Sequence, residues 1–264
     1  MPDMDPRRRR ESFNTVAELY AAYRLAYPDV VVADVVAQAH IASGRRVLEI
    51  GCGTGQLSVP LAASGAQLTA VEMGADLAAI ARRNLARFPG VQVEVATFET
   101  WPLPESPFDA VVCATAFHWL DPDVRSTKAA QALRSGGVLA LVHPHHVLDG
   151  NPGFFRDTSR CYVRWGLGDD PLWLPPSPDD LPAMYQELDA RPEYASVERH
   201  RFDATRRYTT ESYIGLLQTD SLILGLDGAP RAGFLADLAE LVESHYGGEV
   251  SWRTVYEVVL ATRR

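Results

Sequence analysis

Glu49, Gly51, Gly53 and Gly55 stand at alternate positions where the apolar run Val47-Leu48-Glu49-Ile50 breaks. Glycines at that spacing supply positive backbone dihedrals and let main chain turn tightly against a ligand. A buried strand, a glycine turn and a helix start together make a nucleotide-type site. The spacing narrows the ligand. A dinucleotide fingerprint needs its third glycine at position 56, where the chain has Gln56. No Lys-Ser/Thr pair follows to hold a triphosphate, and a carboxylate at Glu49 repels phosphates. The expected ligand is cationic and free of phosphate. Glu72 lies 21 residues beyond Gly51 at the end of a second apolar run. There its carboxylate can accept hydrogen bonds from ribose hydroxyls, because strand ends of a parallel sheet face one crevice.

Written out, Glu49-x-Gly51-x-Gly53-x-Gly55 resembles the first motif of the class I S-adenosylmethionine-dependent methyltransferases, over at least residues 44 to 143. The resemblance implies S-adenosylmethionine as cofactor and S-adenosylhomocysteine as product. It puts Glu49, Gly51, Cys52, Gly53 and Gly55 around the methionine part, Glu72 at the ribose and Met73 against the adenine face. Thr97 and Phe98 stand at the adenine edge, and Ala114 lines the cofactor from the fourth strand. Where the family commonly has Asp, this chain has Thr97, whose hydroxyl accepts more weakly than a carboxylate. The adenine contact then rests on Thr97 or passes to the main chain of Phe98 or to Glu99.

Phe117-His118-Trp119-Leu120-Asp121 closes the fourth strand and resembles the small-molecule branch that includes trans-aconitate methyltransferase. The Asn/Asp-Pro-Pro-Tyr/Phe pattern of amino-methylating enzymes is absent, which favours an oxygen or carbon acceptor. A carboxylate acceptor needs no base. A hydroxyl does, and His118 is the catalytic candidate, with packing as its alternative role. Trp119, His143 and His145 are expected around the acceptor, as are Tyr20, Tyr23 and Arg24 of an N-terminal helix. His143 and His145 share a strand face, yet no acid or thiol completes a ligand set before Asp149, so no metal is expected. Two rivals stand beside methyl transfer to a small molecule. One is a cofactor-binding protein without transfer, a cyclase or sensor; the other is an RNA or protein methyltransferase.

These residues need a frame, and the apolar runs supply one. Strands at 46–50, 68–72, 91–95, 108–114 and 138–143 alternate with helices at 56–64, 74–87 and 121–133. That alternation predicts a Rossmann-like α/β fold: a seven-stranded, mostly parallel sheet, helices on both faces and a helical cap inserted after strands five and six. Residues 1–264 are read as one domain. It divides into an N-terminal helical cap (1–43), the cofactor-binding core (44–143), a lid insertion (144–192) and the remaining strands with two inserted helices (193–264). Aromatics of the lid, Phe154, Phe155, Tyr162, Trp165 and Trp173, are expected to close over the acceptor.

Composition bounds the partners. A formal charge of −9 and a pI near 5.3 support counterion release on nucleic acid poorly. No run approaches a membrane span, and Arg7 to Arg10 read as a solvated, partly disordered tail. Cys52, Cys113 and Cys161 are odd in number, widely spaced and form no C-x-x-C pair, which points to a reducing compartment and a cytoplasmic protein. Oligomeric state is not legible.

Overall fold

A computed structural model describes residues 6–148 and 152–264. It contains one seven-stranded sheet in the order β3-β2-β1-β4-β5-β7-β6. Its strands are β1 (Arg46–Ile50), β2 (Gln67–Glu72), β3 (Val91–Val95), β4 (Phe108–Ala114), β5 (Leu133–His146), β6 (Tyr194–Thr209) and β7 (Glu249–Arg263). The pairs β1–β2, β1–β4, β2–β3 and β4–β5 are parallel. The chain groups into two compact units.

The second unit, residues 25–144, 183–202 and 256–264, carries the glycine motif. Val47, Leu48 and Ile50 of β1 are buried between strands on both sides, so an unbroken apolar run replaces alternation. Helices α3 (Asp29–Gln38), α4 (Ser58–Ala63), α5 (Ala75–Leu85) and α6 (Arg125–Ala132) belong to this unit. Along α5 the buried Leu77, Ala78, Ile80, Ala81 and Leu85 form one stripe, and Arg82 and Arg83 in its last turn suit the carbonyl end of the helix dipole. One core cluster joins Leu48, Ile50, Val111, Cys113 and Leu141 of the sheet to Phe117, Tyr185, Leu188 and Tyr194. Val259 and Ala261 of β7 complete it.

The first unit comprises residues 6–24, the described part of 145–182, and 203–255. It holds α1 (Pro6–Ser12), α2 (Ala17–Tyr23), α7 (Pro152–Arg164), α8 (Thr210–Leu217), α9 (Ser221–Leu224) and α10 (Gly228–Tyr246). Its core is aromatic. Trp252 stacks on Tyr208 at 4.4 Å and on Phe154 at 6.1 Å, and its indole N–H donates to His146 Nδ1 at 3.0 Å. The lid aromatics Phe154 and Phe155 are therefore core residues of this unit, Trp165 donates to Asp237 at 2.9 Å, and Trp173 is exposed. Rings this large bury the most apolar area where they pack on each other.

Several boundaries differ from the sequence reading. Within 1–43, read as a helical cap, residues 24–28, ending at Pro28, leave helical geometry and separate α2 from α3. The two helices expected within 193–264 are three, α8, α9 and α10, and α9 is capped by Asp220, whose side chain accepts from Leu222 N–H. β5 begins at Leu133 instead of the expected 138, so Gly136-Gly137 lie inside it. Pairing with β4 jumps there from Phe108↔Leu133 to Ala110↔Val138, an irregularity that Gly136 accommodates with φ +71°. The arginine segment is not a solvated tail over its described part: residues 6–12 are helical and Arg9 donates to Ser221 at 3.1 Å.

Candidate active site

The site grows from the carboxyl ends of β1, β2 and β4 in the second unit. Gly51, Gly53 and Gly55 take φ values of +69°, +56° and +97°, the left-handed geometry their type permits. Gly51 has a second constraint. A Cβ on it would stand 2.6 Å from the Ala116 methyl, so the glycine loop and the turn after β4 touch with no room for a side chain between them.

Glu72 ties this loop to its own strand end. Its two carboxylate oxygens accept from Gly53 N–H at 2.9 Å and Gly74 N–H at 2.8 Å, and the residue is buried. A carboxylate offers about four acceptor positions, so these two bonds are compatible with ribose binding. Thr54 steadies the loop from beneath: its carbonyl accepts from Asn84 at 2.8 Å and its hydroxyl from Gln56 at 2.7 Å. Gln56, where a dinucleotide site would need glycine, thus has its own structural role.

Glu49 is 2% exposed, and its Oε2 has no hydrogen-bond partner. Burial raises its pKa to about 7; the Ser58 hydroxyl opposes the rise and nearby Glu72 adds a smaller push upward. A buried acid with an unsatisfied oxygen beside a glycine cradle fits a ligand bearing positive charge. Cys52 is buried in the same loop, its thiol pushed well up by desolvation and by Glu49 and Glu72. At the expected adenine edge, the Thr97 and Thr100 hydroxyls bond to each other at 2.7 Å. The Phe98 ring is core, under the Lys128 ammonium at 5.4 Å, which leaves only its main chain for a ligand.

After β4 the chain makes a 3₁₀ turn over Phe117–Trp119. His118 is accessible, with its ring centroid 4.9 Å from Trp119 and 5.7 Å from His143. Desolvation beside these rings and the Arg125 charge push its pKa down to about 4. Arg125 donates to the Phe117 carbonyl at 3.1 Å and to Glu187 at 2.6 Å. Tyr185 sits edge-on to Phe117 at 5.2 Å and to His143 at 6.2 Å. It is 6% exposed and its hydroxyl has no partner. No motif marked Tyr185. Only its position in an aromatic-rich insertion hinted at it.

The structure thus brings together Glu49, Gly51, Cys52, Gly53, Gly55, Glu72 and Met73 at two adjacent strand ends, and Ala114, His118, Trp119 and His143 at the next two. Tyr20, Tyr23, Arg24 and His145 belong to the first unit. Within it Tyr23 bonds to Glu211 at 3.2 Å, with its ring on Gly215, and Arg24 holds Thr219 through Nε at 2.8 Å and Nη2 at 2.7 Å. The Tyr20 ring lies under the Arg24 guanidinium at 5.3 Å. Asp149 lies outside the described residues. Among the described residues no three His, Cys, Asp or Glu are placed to hold a metal, and no helix is long and apolar enough to cross a membrane.

Residues 47–137, which contain the glycine motif, Glu72 and the His118 turn, match the methyltransferase domain family. Over this segment the chain carries a methyltransferase domain. An uncharacterized methyltransferase of Mycobacterium bovis is similar along nearly the whole length, 28% identical over 89% of this chain and 86% of that protein. A malonyl-[acyl-carrier protein] O-methyltransferase of Geobacter sulfurreducens is 33% identical over 52% of this chain and 53% of its own. In fold, the chain is similar to a structure of a Geobacter sulfurreducens S-adenosylmethionine-dependent methyltransferase in complex with S-adenosylhomocysteine, with a TM-score of 0.55 and 14% identity. That likeness covers 95% of this chain and 98% of the other.

Proposed function

We propose that this methyltransferase moves the methyl group of S-adenosylmethionine to an oxygen of a small organic acceptor, a carboxylate in preference to a hydroxyl. The observation that carries the preference is His118. A general base works best with a pKa near the operating pH, and an imidazole held near 4 takes a proton from a hydroxyl poorly. A carboxylate acceptor arrives already ionised. Its oxygen attacks the methyl carbon, the carbon–sulfur bond breaks with its electrons going to sulfur, and no proton has to move. The similarity to an O-methyltransferase over half the chain supports oxygen, and the acidic balance of the chain speaks against an RNA acceptor.

The chain's residues would share the work as follows. Gly51, Gly53 and the buried Glu49 hold the methionine part, Glu72 the ribose, and Thr97 with the Phe98 main chain the adenine. Ala114 lines the floor, while Trp119 and His143 shape the acceptor side with His118 as a neutral wall. Such reactions gain most from positioning and exclusion of water.

Incubation with S-adenosylmethionine and a panel of small carboxylic acids and phenols, reading S-adenosylhomocysteine and a methyl-group mass gain, tests the proposal. Turnover is expected on acids, and His118→Ala should lower it by less than about tenfold. A loss of about 10²-fold or more on phenols, the range for removing a general base, would instead support the hydroxyl reading. Tight cofactor binding with no homocysteine product on any acceptor would favour a cyclase or sensor. Glu72→Ala should weaken cofactor binding by roughly 1.5–3 kcal/mol, the range for charge-assisted hydrogen bonds; unchanged affinity in calorimetry would remove Glu72 from the ribose.

A further inference from the structure

Thr115 is the residue directly after β4, and its φ is +57°. A β-branched side chain in the left-handed region is a true outlier, costly enough that the surroundings must hold it there. Two bonds hold it. The Thr115 N–H donates to the Val142 carbonyl at 2.9 Å, extending the β4–β5 ladder by one residue. Its Oγ1 pairs with the Tyr27 hydroxyl at 2.8 Å across 88 residues of chain. Tyr27 is in turn set by Pro28 and by the Tyr256 ring, edge-on at 6.3 Å.

What this strained residue governs is the direction of the next few. Ala116 follows immediately and presses its methyl onto Gly51, and Phe117–Trp119 form the turn that carries His118. The turn's own closure consists of Trp119 N–H to the Ala116 carbonyl at 3.0 Å and Leu120 N–H to the Phe117 carbonyl at 3.2 Å. Farther along, Arg125 at the Phe117 carbonyl (3.1 Å) and the buried Phe117 ring anchor the turn, so where Ala116 meets the glycine loop is set by the backbone entering at Thr115.

We propose that the Tyr27–Thr115 hydroxyl pair is a clasp that positions the His118 turn against the glycine loop and thereby sets how long the nucleoside product is held. Tyr27 and Thr115 are positioning residues in this scheme, acting through Ala116 on Gly51. The part concerning product residence rests on the cofactor reading above; the part concerning the turn does not.

Tyr27→Phe and Thr115→Val each remove one oxygen and keep shape, and valine keeps the β-branch. Two measurements separate the possibilities: the dissociation rate of S-adenosylhomocysteine by stopped flow, and amide hydrogen exchange of the ligand-free protein. Each single variant is expected to speed product release, and exchange at the Trp119 and Leu120 amides, by about threefold to tenfold, the equilibrium weight of one hydrogen bond. The double variant should be no faster than either single one, since both remove the same bond. Thr115→Ser, which keeps Oγ1, should behave as wild type. Unchanged rates in both singles would overturn the clasp, as would exchange accelerated equally at Leu48 and Val71, which marks general destabilisation. If the wild-type protein binds no S-adenosylhomocysteine, the cofactor reading falls, and the exchange measurement alone decides whether the clasp positions the turn.

Discussion

At the scale of single residues, the two acids beside the glycine loop are the same functional group in opposite surroundings. Glu72 is buried but accepts two backbone N–H groups, which favours its charge; Glu49 is buried with one oxygen unsatisfied, which disfavours it. The folded protein therefore binds a proton at Glu49 that the unfolded chain, titrating near 4.5, gives up earlier. The contribution of Glu49 to stability is full below about 4.5 and is lost as pH rises through about 7, by something on the order of 3 kcal/mol for a shift of this size. Glu49→Gln should flatten that slope in denaturant titrations at pH 5 and pH 8, and should stabilise the ligand-free protein at pH 8. An unchanged slope would show Glu49 to be ionised throughout. The identity of these acids was legible from spacing alone. Their division of labour was not, because it depends on which backbone N–H groups a fold brings within reach.

At the scale of elements, the strands and helices around the glycine motif could be read from alternating apolar runs, and the sheet has the seven strands expected. Legibility ended where the determinant was distant in sequence. Tyr185 shows why. Its φ is +54° and its loop is held from three sides: Met184 N–H donates to the buried Glu257 at 2.7 Å, Arg199 reaches the carbonyls of Met184 and Tyr185, and Arg201 pairs with Glu257 at 3.0 Å. None of those partners is marked by a motif. The hydroxyl they deliver into the core has no partner, and an unsatisfied buried hydroxyl costs about 1–3 kcal/mol. Tyr185→Phe is expected to raise the melting temperature of the ligand-free protein by several degrees. A lowered one would mean that the hydroxyl is bonded in solution.

At the scale of the whole molecule, the family match stops well short of what the fold requires. Residues 47–137 lack Tyr185, Leu188, Tyr194, Val259 and Ala261, all members of the core cluster that backs β4 and the His118 turn. Expressed alone, that segment should fail to unfold cooperatively in calorimetry, since its sheet face would be left in water; a sharp transition would contradict the packing described. The grouping into units also bears on how the chain can be made. Each unit is assembled from three separated segments, and the backbone passes from one to the other five times. During synthesis, α2 leaves the ribosome nearly two hundred residues before α8, whose Glu211 its Tyr23 bonds. β1 and β4 pair long before Val259 and Ala261 exist to cover them. Neither unit can close its core until β7 has been translated, so the nascent chain carries two unfinished apolar surfaces up to that point, and both cores await the same strand.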